Sequence, residues 1–495
     1  MLQHLAETDF EKETLTLGGR TLHFRSIRNI AYCESPEDPI QHMNLFAPEA
    51  YFEGGTVSGY TKDTAPIFCP STVGGYMPGS AAEPGPGRFF KTDAVFEALA
   101  HGYVVAGIGV RGRTSGRSTK EFFEGAAAHE EEAAASGRLC GRAPALIVDL
   151  KAAIRYLRTY AQDIPGNPDR IVTNGTSAGG ALSALAGASG DAADYAYELE
   201  RIGAAMDASD AIFAASCYCP IHNLEHADMT YEWQFRGISD CHFTHFRRRK
   251  GKIAKISEDS VLTPEQLALS EELAAAFPAY VSSLGLTDEN GHALTLEADG
   301  TGSFLGYVKS KLIASAKHEL ATREKEQRLP QLMAEGSAPR EQSYLTIEDG
   351  TIEDLSWPGF VHAITRMKPC PAFDALDLHS PENEEFGTED IFARHFTAFS
   401  QEHTAVPAEL APDRTIRMMN PLSHVSSPGC CTHWRIRHGS YDRDTSLAIP
   451  AILALSLANA GKDVDFRYPW GLPHSGDYDL PELFSWIDGL CLNGR

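Results

Sequence analysis

Residues 170–190 read RIVTNGTSAGGALSALAGASG, and within them Gly175-Thr176-Ser177-Ala178-Gly179 fits G-x-S-x-G. A serine hydroxyl becomes a useful nucleophile only when its oxygen is thrust clear of the backbone and a base waits beside it. A sharp strand-to-helix turn does the first, and it leaves almost no room two residues before and two after the serine. Gly175 and Gly179 stand at those places. The apolar run Ile171-Val172 before them reads as a buried strand. Ala181 to Ala186 reads as the start of a buried helix. A small-residue turn in a doubly wound sheet would look the same, so the base and acid decide the matter.

In this kind of sheet the order along the chain is serine, acid, histidine. After Ser177 the segment RHGSYDRDT offers Asp442 and Asp444 at the end of a strand-like run, and YPWGLPHSGDYD places His474 after the next one. Asp442 is the expected partner of His474, with Asp444 its competitor. Asp477 and Asp479 follow His474 and break the order. His438 falls inside the strand pattern and reads as packed. An acyl-transfer intermediate also needs two N–H donors for its oxyanion. The amide of Ala178 follows the nucleophile directly. Gly75, in STVGGYMPG after an early strand, is the expected second donor, against a plain tight turn as the other reading.

The elements that must position these residues alternate. HMNLFAP, APIFCPSTVGG and YVVAGIGVRG read as strands, the last with the continuous apolar run of a sheet covered on both faces. AVFEALAHG and APALIVDLKAAIRYLRTYA read as helices. From about His222 to Asn420 long helical segments replace the alternation, one opening on the capping box Thr263-Pro264-Glu265-Gln266 and another spelling SFLGYVKSKLIASAKHELATREKEQ. The alternation then returns with HWRIRHGSYD, TSLAIPAILALSLANAG, VDFRYPW and DLPELFSWIDGL. The expected architecture is α/β: a core from residues 1–219 and 421–495, interrupted by a mainly helical insertion over 220–420.

The formal net charge of -24 over 495 residues disfavours nucleic acid and anionic membrane surfaces as partners. The one basic run, Arg247 to Lys250, reads as a solvated loop or helix end. No signal peptide and no membrane-spanning run is evident, so a cytoplasmic protein is expected. Ten cysteines in so long a chain read as reduced and mostly buried rather than as a disulfide framework. Cys217, Cys219, His222 and His226 have a spacing that zinc could use, but the cysteines close an apolar strand-like run and read as small buried hydrophobes. Cys430-Cys431 has no matching ligand spacing. No metal and no cofactor is expected.

The sequence resembles the bacterial tannases, tannin acylhydrolases of the α/β-hydrolase fold, almost end to end. The segments that carry the resemblance include TVGGYMPG, NGTSAGGALSALAGASG, MKPCPAFDALDLHSPENEEFG, RHGSYDRDTSLAIP and PHSGDYDLPELFSW. It implies Ser177, Asp442 and His474 as triad, Gly75 and Ala178 as oxyanion donors, and the insertion as a lid. It implies that the three hydroxyls of a galloyl ring meet Lys368, Glu382 and Asp444, which would leave Asp442 to orient His474. Taken alone, Lys368 and Glu382 read as surface charges. The stretch Phe122–Gly137 looks longer than the family's usual connection there. Fungal tannases and feruloyl esterases carry cysteines beside the serine and histidine, where this chain has Thr176 and Ser475. The implied substrates are galloyl esters such as tannins and alkyl gallates. The alternatives are a feruloyl or cinnamoyl esterase with the same triad, and a non-catalytic phenolic-binding protein of the same fold.

Overall fold

The computed structural model describes residue 2 and residues 4–85, 93–116, 138–249, 252–322 and 344–492. An antiparallel hairpin, β1 (Glu11–Leu17) and β2 (Arg20–Ile30), leads into β3 (Met43–Pro48). Strand and helix then alternate: β4 (Pro66–Pro70), a helix over Ala94–Ala100, β5 (Val104–Ile108), a helix over Ala145–Thr159, β6 (Asn167–Thr176), a helix over Ala178–Ala188, and β7 (Ala214–Tyr218). The insertion contains two hairpins, β8 (Asp240–Arg249) with β9 (Lys252–Val261) and β10 (Leu345–Glu348) with β11 (Thr351–Leu355), among helices that include Leu224–Phe235, Pro264–Ser283, Ser303–Thr322 and Pro381–Glu385. The chain then returns through β12 (His433–Arg437), a helix over Ala448–Asn459, β13 (Asp463–Arg467) and a helix over Leu480–Cys491.

Among the described residues nine strands form one mixed sheet in the order β1-β2-β3-β5-β4-β6-β7-β12-β13. Pairing is antiparallel from β1 to β5 and parallel from β5 to β13. The sequences explain which strands lie centrally. PIFCP of β4 and VVAGI of β5 are buried at every position, as parallel strands covered by helices must be. β12, with HWRIR, is central too, yet it buries Arg435 and Arg437. Arg437 donates to Asp465 Oδ2 at 2.6 Å and Glu482 Oε1 at 2.9 Å, and Arg435 pairs with Asp479. Buried cations survive only when paired in this way.

The expected helices form where their periodicity places them. Thr263 Oγ1 accepts the Gln266 N–H at 3.2 Å and Gln266 Oε1 accepts the Thr263 N–H at 3.0 Å, which completes the capping box. Along Ser303–Thr322, Phe304, Val308, Leu312, Ala316 and Leu320 are buried at a spacing of four.

Two expectations change, and one element was not expected. Arg247 to Arg249 are neither loop nor helix end: they close β8, where Arg247 pairs across from Ala254. The aromatic and β-branched residues of CHFTHF favour a strand and carry the basic tip with them. Strand β12 stops at Arg437, short of the acidic residues, because the chain turns: the Asp442 N–H donates to the Gly439 carbonyl at 3.0 Å. The hairpin β1–β2 is a further element: Leu15 and Leu17 on one arm and Leu22 and Phe24 on the other alternate with polar residues about the Gly18-Gly19 turn, and β1 lies at the sheet edge. Lys250 and Phe122–Gly137 lie outside the described residues. No helix among the described residues is long and apolar enough to cross a membrane.

Candidate active site

Ser177 joins β6 to the helix Ala178–Ala188 with φ 62° and ψ -126°, a strained backbone for a residue with a Cβ. Its N–H donates to the Tyr218 carbonyl at 3.0 Å, and its carbonyl accepts from Ala181 N at 2.9 Å. A Cβ on Gly175 would lie 2.2 Å from the Gly179 carbonyl oxygen, so no larger residue fits there. The five-residue motif therefore forms the tight strand-to-helix turn that its glycines suggested.

The sheet register then lines up the rest. Thr176 pairs with Tyr218, Tyr218 with Arg437, and Arg437 with Arg467. Ser177, Cys219 and His438 thus each follow the last rung of adjoining strands, at the carboxyl edge where such sheets carry their sites. Asp442 is fully buried, and its Oδ2 lies 2.7 Å from His474 Nδ1. Asp444 Oδ2 lies 3.8 Å from the same nitrogen, beyond a hydrogen bond, while the Asp444 N–H donates to Asp442 Oδ1 at 2.8 Å. The competition between the two aspartates is therefore resolved by geometry in favour of Asp442 as the histidine's partner.

Burial raises the Asp442 carboxyl, but His474 and His438 beside it win and hold it well below its ordinary value. For His474, burial lowers the imidazole, and Asp442 and Asp444 together override that and push it well above its ordinary value.

The loop carrying His474 is pinned to the turn carrying Ser177. Asn174 Nδ2 donates to Asp477 Oδ1 at 2.9 Å, and Cys219 Sγ donates to the Ser475 carbonyl at 3.3 Å. A Cβ on Gly476 would sit 1.8 Å from Thr176 Oγ1. Asp477 and Asp479, excluded as triad acids by their order, serve here as anchors: Asp479 accepts from Tyr218 Oη and Arg435. His438 is buried as expected, but it faces the site, with Nε2 3.7 Å from Asp442 Oδ2.

The loop after β4 lies on the Ser177 turn. The Ser71 N–H donates to the Asn174 carbonyl at 2.8 Å, and a Cβ on Gly179 would come within 2.8 Å of the Val73 carbonyl oxygen. Gly75 and Tyr76 follow with φ 54° and 56°, and Tyr76 Oη donates to the Ile221 carbonyl at 2.7 Å. Gly75 and Ala178, the two expected oxyanion donors, are thereby carried by segments in direct contact.

The insertion brings its charges to the same place. Tyr231 Oη accepts the N–H groups of Met367 and Lys368, both at 3.0 Å, and donates to the Arg443 carbonyl at 3.0 Å. One tyrosine thus ties the Lys368 segment to the turn holding Asp442 and Asp444. Lys368 Nζ lies 3.9 Å from the centroid of the Phe373 ring. Glu382 is buried on the helix Pro381–Glu385, capped by Ser380, whose Oγ accepts the Asn383 N–H at 2.9 Å. Burial raises its carboxyl, which Lys368 and Arg113 oppose and Asp444 reinforces. Lys368 and Asp444 are therefore both within electrostatic reach of the buried Glu382.

Arg113 escaped the sequence reading. It donates from Nε to the Gly75 carbonyl at 2.9 Å and pairs through Nη1 with Glu384. An arginine after a strand carries no signal of such a role.

Among the described residues, two groups of metal-ligating side chains come together, Cys219–His438–Asp442 and Asp442–Asp444–His474. The zinc spacing in the sequence does not converge: His226 stacks on Tyr280 at 3.7 Å and pairs with Asn223 Oδ1, and Cys217 is buried in β7.

The BD-FAE family profile matches residues 138–231. No curated protein matches the chain. Among solved structures, tannase from Lactobacillus plantarum is 43% identical, with a TM-score of 0.87, over 99% of this chain and 99% of that one. Tannase from Fusobacterium nucleatum is 40% identical, with a TM-score of 0.87, over 99% of each chain. A tannin acyl hydrolase in complex with ethyl gallate is 43% identical, with a TM-score of 0.87, over 99% of this chain and 98% of that one. With the Ser177 turn, the buried aspartate–histidine pair and full-length relatives at this identity, the chain belongs to the tannase family, with the α/β-hydrolase fold.

Proposed function

We propose that this carboxylic ester hydrolase cleaves galloyl esters, releasing gallic acid, and that Ser177, His474 and Asp442 are its triad. The observation that carries the reading is the 2.7 Å contact of His474 Nδ1 with the buried Asp442, on a loop pinned to the Ser177 turn. It is supported by the full-length relative whose complex holds ethyl gallate. His474 Nε2 takes the Ser177 proton as Oγ attacks the ester carbonyl. The N–H groups of Ala178 and Gly75 hold the resulting oxyanion. Collapse expels the alcohol, which leaves with the proton from His474. Water, deprotonated by His474, then attacks the galloyl-enzyme, and gallate departs as Ser177 regains its proton.

In this reading the ring hydroxyls are satisfied by Lys368 as donor and by Glu382 and Asp444 as acceptors. Residues 1–219 and 421–495 form the chemical core, and 220–420 act as a lid that supplies Lys368 and Glu382. The test is turnover of methyl gallate by the parent and by Ser177→Ala, with methyl ferulate alongside. Gallate release by the parent, and a loss of at least about a thousandfold in Ser177→Ala, is expected. Equal turnover of methyl ferulate would replace the galloyl reading with a feruloyl esterase. Activity of Ser177→Ala within about tenfold of the parent would remove Ser177 as nucleophile.

A further inference from the structure

Arg113 touches both halves of the site. Its backbone N–H donates to the Tyr76 carbonyl at 2.8 Å, and its Nε donates to the Gly75 carbonyl at 2.9 Å. These two acceptors flank the left-handed stretch that presents the Gly75 amide. The far end of the same guanidinium pairs with Glu384, two residues beyond Glu382 on the short helix Pro381–Glu385. The pair is largely desolvated: the Arg113 side chain is 9% exposed and that of Glu384 12%. Next to it, a Cβ on Gly112 would lie 2.4 Å from the Met77 carbonyl carbon, so the Arg113 loop is seated directly on the oxyanion loop. The helix is gripped from its other side by Arg142, whose Nη1 donates to the Glu384 carbonyl, and by the Ala143 N–H, which donates to the Glu385 carbonyl at 2.9 Å.

We propose that Arg113 is a positioning residue that locks the helix carrying Glu382 to the loop carrying Gly75, so that one guanidinium sets both where the ring binds and where the ester carbonyl meets its donors. The proposal rests on the galloyl-ester reading above. Its physical basis is reach. The ring hydroxyls and the reacting carbonyl are fixed to each other by a rigid aromatic acid. A protein that grips the hydroxyls on the insertion and the oxyanion on the core gains rate only if those grips keep a fixed separation. Arg113 is the cation that bonds both sides. A lysine ammonium is a compact point donor and cannot span the Gly75 carbonyl and the Glu384 carboxylate with fixed geometry. Arg113 touches neither the substrate nor the reacting atoms in this account. It acts through Gly75 and through Glu382.

The test uses Arg113→Lys and Glu384→Gln, singly and together, with Arg138→Gln as a control at an exposed ion pair with Glu389. Methyl gallate and 4-nitrophenyl acetate are the substrates, and thermal unfolding is recorded for each variant. Arg113→Lys should lower kcat for methyl gallate by about 30–100-fold, with KM changed by no more than about threefold, because the loss is of transition-state placement. Loss on 4-nitrophenyl acetate should be smaller, since that ester has no ring hydroxyls to hold it in register. Glu384→Gln should add little to Arg113→Lys, since both cut the same link. Binding of a phenylboronic acid, which forms a tetrahedral adduct on the serine, should weaken along with kcat, while binding of gallate itself is kept.

A purely structural role would lower the unfolding temperature and weaken gallate and boronate alike. That result, or a kcat for Arg113→Lys within about threefold of the parent, overturns the proposal. If Arg113→Lys does not fold, the Glu384→Gln variant decides on the same two readouts. A parent that hydrolyses 4-nitrophenyl acetate but not methyl gallate would instead sink the galloyl reading, and the proposal with it.

Discussion

Asp442 and Asp444 stand two residues apart and face one imidazole, at 2.7 and 3.8 Å. Asp442 makes the hydrogen bond that fixes the ring, so Asp442→Asn should lower kcat by about 10³–10⁴-fold. Asp444 acts on His474 through charge, and on the proposed reading it also meets the substrate. Both carboxylates raise His474, and only the neutral imidazole accepts a proton from serine. Activity should therefore rise with pH through the raised value, giving an acid limb above the ordinary 6.5. Asp444→Asn removes one of the raising charges, so the limb in the kcat/KM profile should move to lower pH. The same variant should lose more on methyl gallate than on methyl benzoate. A limb that stays in place would show that Asp444 exerts no charge effect on His474. Selectivity belongs to this scale too. If the half-buried Lys368 and Asp444 and the buried Glu382 are the ring partners, leaving them without ring hydroxyls should reject methyl benzoate by ~10⁴ relative to methyl gallate, with methyl protocatechuate between them. An apolar slot would manage only about 10–200-fold, and a ratio in that range would argue against the three charges as hydroxyl partners. The proposed triad of Ser177, Asp442 and His474 could be picked out of the sequence because such chemistry confines its groups to type, order and strand ends. Lys368 and Glu382 were not legible from spacing. They lie on an insertion whose path across the core no local pattern encodes, and only the family resemblance pointed to them. Arg113 had neither aid.

The helix Leu224–Phe235 carries a half-buried acid, Glu225, outside this chemistry. Burial pushes Glu225 up to about 7, although Asn420 Nδ2 opposes this by donating to Oε1 at 2.6 Å. The folded protein thus keeps a proton that the unfolded chain, with a value near 4.5, has already released. Stability is therefore lost as pH rises from about 4.5 to about 7, and is level above that. Glu225→Gln should flatten this part of the dependence of unfolding temperature on pH. An unchanged difference between variant and parent across that window would mean Glu225 titrates alike in both states. Elements differed in how plainly they were written. The helix Ser303–Thr322 buries one face and leaves a periodic trace, whereas strands β4 and β5 bury both faces and leave a continuous apolar run. Each of the hairpins β1–β2 and β8–β9 pairs one arm along the whole length of the other, so neither needs a long apolar run to hold its register. The end of β12 was set by a turn against the loop before His474, where a Cβ on Gly439 would lie 2.1 Å from the Leu472 carbonyl oxygen. No pattern within the strand itself marks it.

Across the whole molecule one hydrophobic cluster runs from the sheet, with Trp434, into the insertion, with Trp233, Phe277, Phe304 and Phe360. Trp233 and Trp357 pack 5.4 Å apart inside the insertion. A shared core should unfold in one step. Urea unfolding followed by far-UV circular dichroism and by tryptophan fluorescence should give a single midpoint. Two separated midpoints would make the insertion an independent folding unit. The register at the carboxyl edge has a different consequence. Thr176, Tyr218 and Arg437 form the last rung across β6, β7 and β12, and the insertion leaves the chain after that rung and rejoins it before β12 begins. Its length and contents can drift over generations without moving the serine relative to the aspartate, because the ladder between them is already closed. What such drift does change is the supply of Lys368 and Glu382. On the proposed reading the triad rests on the two core stretches while two of the three ring contacts, Lys368 and Glu382, come from the insertion, so a change in the insertion can retune which acid is released while the ester-breaking groups, and Asp444 beside them, stay where they are.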